Sequence, residues 1–433
     1  MNTNPSNSSS ARVRRPVRSQ VEMQFFALDE ILELNHQARL VWAYVMSLNL
    51  EDFYAEIQVS SVQAGRTAIA PEILLALWFF ATIEGVGSAR ELERRTERDI
   101  AYRWICGGVS VNYHTLSDFR SRHAIALEKI LVNSIAALVN QELIPLETIA
   151  QDGMRVRANA GKSSFRRKPT LENLQEQAKE HLEKLKKESE SETQRLEGQA
   201  RRDAAGKRAA QDRAARLAEA LKQHGELSEQ REKRKKGSGD QTRVSTTDPD
   251  ARNMKMANGG FNPALNVQFA TDADTRIIVG VSVTNEGTDG GQLDPMHQQI
   301  ISNYDKTPEH VLVDSAYTTK ESVTQVESRG TKVVSTIARS EQLEKHGKNP
   351  HERQKGDSDE YAGFRQRMGT AEYQEMYKMR PSIAEFPNAV CRNRGLQRFL
   401  VRGIEKATAV ALLHALAFNF TRMLNLKLIE LAI

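Results

Sequence analysis

The sequence predicts a mixed α/β protein with an all-α N-terminal domain and a long charged helical insertion. Three observations carry this. Apolar residues recur at helical spacing over 23–145, charge crowds 161–244, and strand-like alternation marks 146–160 and returns from 245. At ~150 residues per domain, 433 residues suffice for two or three domains. The expected organisation is a disordered basic arm (1–22), a helical domain (23–145), one α/β domain split into 146–160 and 245–433, and a charged hairpin (161–244) inserted between its parts.

The arm sets Arg12, Arg14, Arg15 and Arg18 among Ser, Asn and Pro. It suits a solvated tail or a non-specific phosphate-binding arm. In the helical domain, PEILLALWFFATIEG places Pro71 at a helix first turn, followed by Ile73, Leu74, Leu77, Trp78 and Ala81. Ser88 with Glu91, Thr96 with Asp99 and Thr115 with Asp118 form capping-box patterns. Gly85, Gly87, Gly107 and Gly108 punctuate the segments. Short helices bearing Arg90, Arg94, Arg95, Arg98, Arg120 and Arg122 fit either a helix-turn-helix-like DNA-binding module or a plain bundle with a solvated Arg face.

LETIAQDGMRVRANA reads as a strand ending at Asp152-Gly153. Residues 161–240 then hold 21 Lys+Arg and 15 Asp+Glu. Leu171, Leu174, Ala178, Leu182 and Leu185 form a heptad-like seam, and Ala200, Ala204, Ala210, Ala214, Leu217 and Leu221 a thin second stripe. Two long antiparallel helices follow from this. They serve as a solvated spacer or as a contact to DNA or another subunit. Beyond 245, strands are expected at 264–271 and 276–285, joined by a turn at Asp272–Asp274. Next come a helix near 293–304, a buried strand ending at Asp314, a helix at 318–328 and a strand at 332–337. A polar loop (340–359) leads to helices at ~371–393 and ~405–430.

Composition excludes several classes. Cys106 and Cys391 are the only cysteines, which rules out a disulfide scaffold or a Cys-rich zinc site and fits a reducing cytosol. Ten His residues include no HxxxH or HxH pair. No signal peptide or 18-residue apolar run is present, so no membrane partner is expected. GTDGG at 287–291 lacks the Walker Lys-Ser/Thr and reads as a loop. The net charge of +5 points towards a polyanion.

With the hairpin set aside, the order is strand with Asp152, hairpin strands, helix, strand with Asp314, helix, strand, helix. Carboxylates leaving neighbouring strands converge at a sheet edge, where hard divalent cations take oxygen ligands. Glu385, on a helix facing that edge, is the best-placed third acid.

These pieces together carry a resemblance. SARELERRTERDIAYRWICGG with HTLSDFRSRH, AQDGMRVRANA, STTDPDARNMK with ALNVQFATD, VLVDSAY and the C-terminal run from Glu372 to Leu424 resemble, in order, the DDE transposases of bacterial insertion sequences. The resemblance covers most of the chain outside the N-terminal tail and the hairpin. It implies an RNase H-like catalytic core, with Asp152, Asp314 and Glu385 as catalytic and metal-holding acids and two Mg²⁺ ions, for which Mn²⁺ could substitute. The implied chemistry is phosphoryl transfer that cleaves the element's ends and joins them to target DNA. The family signature runs Tyr, two residues, Arg, three residues, Glu, six residues, Lys. Here Tyr377 and Arg380 keep the first spacing, and Arg392 replaces the Lys. Four residues separate Arg380 from Glu385, leaving Glu372 and Glu375 as alternative third acids. Arg155, Arg157, Lys255, Arg380, Arg392 and Arg394 are candidates for holding phosphate, and Asp248-Pro249-Asp250 a turn with a possible substrate-side role. The implied partner is double-stranded DNA, terminal inverted repeats and target, bound by a homodimer in the cytoplasm at the nucleoid. A non-catalytic DNA-binding regulator with a decayed site is the alternative, and a metal-dependent nuclease without joining activity is a third.

Overall fold

The computed structural model describes residues 27–57, 67–190 and 197–431, with positions 19, 21 and 25. Arg12, Arg14, Arg15 and Arg18 lie outside the described residues. The N-terminal part folds as α1 (Gln37–Met46), α2 (Pro71–Ile83), α3 (Ala89–Arg98), α4 (Ile100–Cys106), α5 (Tyr113–Arg122) and α6 (Ala124–Asn140). Pro71 opens α2, whose residues from Ile73 to Thr82 are all buried. Ser88 caps α3 through the Glu91 amide. The next two caps fall elsewhere than the Ser/Thr pattern predicts. Asp99, not Thr96, accepts from Ala101 N, and Asn112, not Thr115, accepts from Thr115 N. Asp and Asn are strong N-caps in their own right.

The hairpin is α7 (Lys168–Glu190) and α8 (Glu197–Arg234). At its root Leu171, Ala178, Leu217, Ala220 and Val244 form a small core of their own, and Phe165–Arg166 pairs with Val244–Ser245. On α8 Ala204 is exposed and Ala210 buried, while the side chain of Ala200 lies outside the described residues. The Asp248-Pro249-Asp250 tract locks the root to the body. Asp250 accepts from Gln223 Nε2 (2.6 Å) and from Ile404 N (3.0 Å), and Asp248 accepts from Gly403 N (3.2 Å).

The main sheet has six strands, β1 (Thr148–Arg157), β2 (Arg252–Lys255), β3 (Phe261–Asp272), β4 (Ile278–Thr284), β5 (His310–Leu312) and β6 (Lys332–Val334). β3 pairs antiparallel with β1 on one side and with β2 and β4 on the other. β1–β5–β6 continue in parallel. The helices α9 (Leu293–Tyr304), α10 (Lys320–Ser328), α11 (Asp359–Met368), α12 (Ala371–Lys378), α13 (Phe386–Asn393) and α14 (Ile404–Asn425) complete the fold. α14 is long and apolar enough to cross a membrane, yet it is the core helix here, packed against α2, α5, α6 and β4. One continuous core runs from Ala38 to Met423.

Three expectations need correction. β1 does not end at Asp152, because antiparallel pairing with β3 carries it on to Arg157, where the 397–399 segment bonds its other edge. The polar 340–359 segment contains a short helix, Ser340–Lys345. The helix predicted over ~371–393 is broken between α12 and α13.

Candidate active site

Parallel pairing sets β1 beside β5, the strands that lead to the first two acids. Ile149 pairs with Val311 and Ala150 with Leu312. Two residues further along stand Asp152, still within β1, and Asp314, just past the end of β5. Asp314 is exposed at the start of a 3₁₀ turn, Ser315–Tyr317, and accepts from Ser315 Oγ at 3.2 Å.

Asp152 is largely enclosed. Its Oδ1 accepts from Arg380 Nη2 and its Oδ2 from Asn388 Nδ2, both at 3.0 Å. Burial raises its pKa above the ordinary carboxylate value. The Arg380 charge and the Gly153 and Asn388 hydrogen bonds oppose that rise, and the Asp289 carboxylate adds to it.

Arg380 and Asn388 flank Glu385 in sequence. Between α12 and α13 the chain makes a π-turn, Pro381–Glu385. A π-turn takes up one extra residue within an otherwise α-helical path. It thereby accommodates the fourth residue between Arg380 and Glu385. Glu385 ends this turn exposed and has no hydrogen-bond or ionic partner among the described residues. It precedes Asn388 by three residues, a spacing that makes side chains neighbours on a helix. Glu372 and Glu375 lie earlier, exposed on α12, with Glu375 paired to Lys378.

Among the described residues, no three acidic, His or Cys side chains close into a metal cage. The donor set nonetheless suits Mg²⁺. That ion is held by one or two carboxylates plus waters and substrate phosphates rather than by an all-protein cage. The two Asp152 oxygens also keep acceptor capacity beyond the hydrogen bonds from Arg380, Asn388 and Gly153.

Two stretches of the chain match models of known families. Residues 26–122 match a transposase domain (DUF772), and residues 231–420 match a transposase DDE domain. No curated protein and no solved structure matches the chain. The chain belongs to the DDE transposases of insertion sequences. Its mixed sheet is accordingly an RNase H-like core, and the family acts on DNA by nucleotidyl-transfer or endonuclease chemistry with divalent metal ions. The DDE match contains Asp314 and Glu385. β1 and Asp152 precede it, separated from it by most of the hairpin.

The transposase's candidate DNA contacts divide by environment. Arg90 is exposed and lies over the Tyr113 ring, while Arg94 and Arg122 make surface pairs with Glu91 and Asp118. Arg157, Lys255 and Arg392 are exposed, and Tyr377 packs on the core. Others are engaged within the protein, Arg155 with Gly287 and Asp289 among them. Arg120 is buried, with its guanidinium over Trp78 and donating to Gly87 O, and burial lowers its pKa to about 10. Arg394 donates to Ala417 O and Thr421 Oγ1 at 3.2 Å, tying α13 to α14. Arg95 pairs with Glu84 at 2.7 Å against Tyr102. Arg380 holds Asp152 rather than facing solvent. Arg120 is therefore not on the exposed Arg face expected of it. Helical spacing and residue type do not distinguish a buried Arg from a solvated one.

Sequence reasoning missed Asn388 and a polar group behind the sheet. Asp289, in the Gly-rich loop, accepts from Asn266 Nδ2 (2.8 Å) and Gln268 Nε2 (2.9 Å) and faces Arg155 Nη2 (3.4 Å). Arg155 also donates to Gly287 O at 3.1 Å. The Asp-Gly-Gly signature marked the loop but gave no hint that its acid turns inward.

Proposed function

We propose that this transposase cleaves the ends of its insertion sequence and joins them to target DNA by metal-dependent phosphoryl transfer at Asp152, Asp314 and Glu385. The observation that supports this is the parallel pairing of Ala150 with Leu312, two residues before Asp152 and Asp314, with the Glu385 segment bonded to Asp152 through Arg380 and Asn388. When bound, two Mg²⁺ ions (or Mn²⁺) would activate the attacking water or 3′-hydroxyl and stabilise the leaving 3′-oxygen. Asp152 from β1, Asp314 from the turn after β5 and Glu385 from the π-turn would hold the ions through carboxylate oxygens. Arg380 and Asn388 hold the Asp152 carboxylate in one orientation. Exposed Arg90, Arg94, Arg122, Arg157, Lys255 and Arg392 bind phosphates of the terminal repeats and target, positioning the duplex. Paired ends call for a homodimer on DNA at the nucleoid.

The π-turn gives the extra residue before Glu385 a place, which supports the catalytic reading over a regulator with a decayed site. The test is cleavage and strand transfer on oligonucleotides carrying the element's ends, with Mg²⁺ or Mn²⁺. Asp152→Asn, Asp314→Asn and Glu385→Gln should each lose several kcal/mol of transition-state stabilisation, roughly a thousandfold in rate, while binding DNA normally. Full activity in any of the three would refute its assignment.

A further inference from the structure

Successive strand residues face opposite ways. Gln151, Gly153 and Arg155 therefore share the face of β1 opposite to Asp152. Gln268 and Asn266, paired with Gly153 and Arg155, lie on that same face. Gln268 is fully buried at its centre. Its Nε2 donates to Asp289 Oδ1 at 2.9 Å. Its Oε1 accepts from Tyr317 Oη at 2.6 Å and from Gln151 Nε2 at 3.1 Å. With Nε2 turned to Asp289, Oε1 is left to accept from two donors. Burial raises the Tyr317 pKa and keeps its hydroxyl protonated as a donor. Gln151 adjoins Asp152, and Tyr317 ends the 3₁₀ turn that Asp314 begins. One amide thus joins the strand of the first acid to the turn of the second. Gly153 leaves the space this needs, since a Cβ there would meet Asp289 Oδ1 at 2.7 Å and Asn266 Oδ1 at 3.0 Å.

We propose that Asp289 and Gln268 are positioning residues, a hub behind the sheet that sets the separation of Asp152 and Asp314 through Gln151 and Tyr317. The proposal rests on the active-site reading given above. Partners that orient metal-holding side chains affect metal affinity or activity by about 10–100-fold when altered.

The experiment uses the full chain with Tyr317→Phe and Asp289→Asn, both close to the original shapes, and Asp152→Asn as reference. Single-turnover cleavage should slow about tenfold or more in both hub variants, and the Mg²⁺ concentration giving half-maximal rate should rise. Metal-free DNA affinity should stay unchanged. In metal-free protein, amide hydrogen exchange over 313–318 should quicken. The double variant should be no slower than the slower single one, because both act through Gln268. Wild-type rate and Mg²⁺ dependence in both hub variants, with Asp152→Asn inactive, would overturn the hub and leave the active site standing. Losses that multiply in the double variant would also overturn it. An active Asp152→Asn would overturn the site and the hub together.

Discussion

Asp152 sits between opposing influences, burial and Asp289 raising its pKa and Arg380 lowering it. A raised folded-state pKa means that the protonated acid is favoured by folding. Its contribution to stability is present below the unfolded pKa and lost as pH rises through the folded one. Metal holding needs the opposite, ionised form, and Arg380 supplies the nearest positive charge. Arg380→Gln therefore moves the Asp152 pKa further up. The acid limb of the pH–rate profile should shift to higher pH, with the deficit greatest in acid and shrinking towards alkaline pH. A deficit equal at every pH would mean that Arg380 works elsewhere. The two candidate acids drew notice because each follows an apolar run. The true partner of Arg380 was not legible, since 228 positions separate it from Asp152. Asp289 was hidden for a related reason. An acid in a polar, Gly-rich loop looks solvated until the sheet behind it is built.

Elements written in strong local signals were the legible ones: α2 with Pro71 at its start and a run of apolar residues, β3 and β4 with their turn, and the paired long helices of the charged hairpin. The continuation of β1 past Asp152 was not, because pairing with β3 rather than local sequence sustains it. The π-turn was visible only as a spacing anomaly. If it does no more than absorb one residue, deleting Ser382, which is exposed, should let the turn revert to α-helix with Arg380 and Glu385 still in place. The deletion variant should fold and cleave DNA within about tenfold of wild type. Inserting one Ala after Ser382 should instead swing Glu385 by about 100° around the helix and abolish cleavage. The pair is scored by oligonucleotide cleavage and circular dichroism. Equal loss in both, with folding intact, would show that the π-turn geometry itself is required.

At the scale of the whole molecule, helical and α/β regions that read as separate domains share one core. The reason lies in α14, which brings residues 404–425 against helices from the first third of the chain and against β4. Phe420, fully buried, lies 4.9 Å from the Tyr44 ring, and Asn419 bonds the Ile278 backbone through both its Oδ1 and its Nδ2. Contacts so distant in sequence leave no periodic trace, so the boundary near 145 looked sharper than it is. A shared core predicts cooperative unfolding of both parts. All three tryptophans, Trp42, Trp78 and Trp104, belong to the N-terminal helices, so their fluorescence reports on that part alone. Amide exchange in β1 and β3 reports on the sheet. The two probes should give the same urea midpoint. Phe420→Ala should cost about 3–5 kcal/mol and lower both midpoints together. The hairpin has its own small core and should be exempt, so replacing its outer half with a short turn should leave both midpoints unchanged. Fluorescence melting well before the sheet exchanges, or a Phe420→Ala effect confined to one probe, would mean that α14 covers the two parts without coupling them.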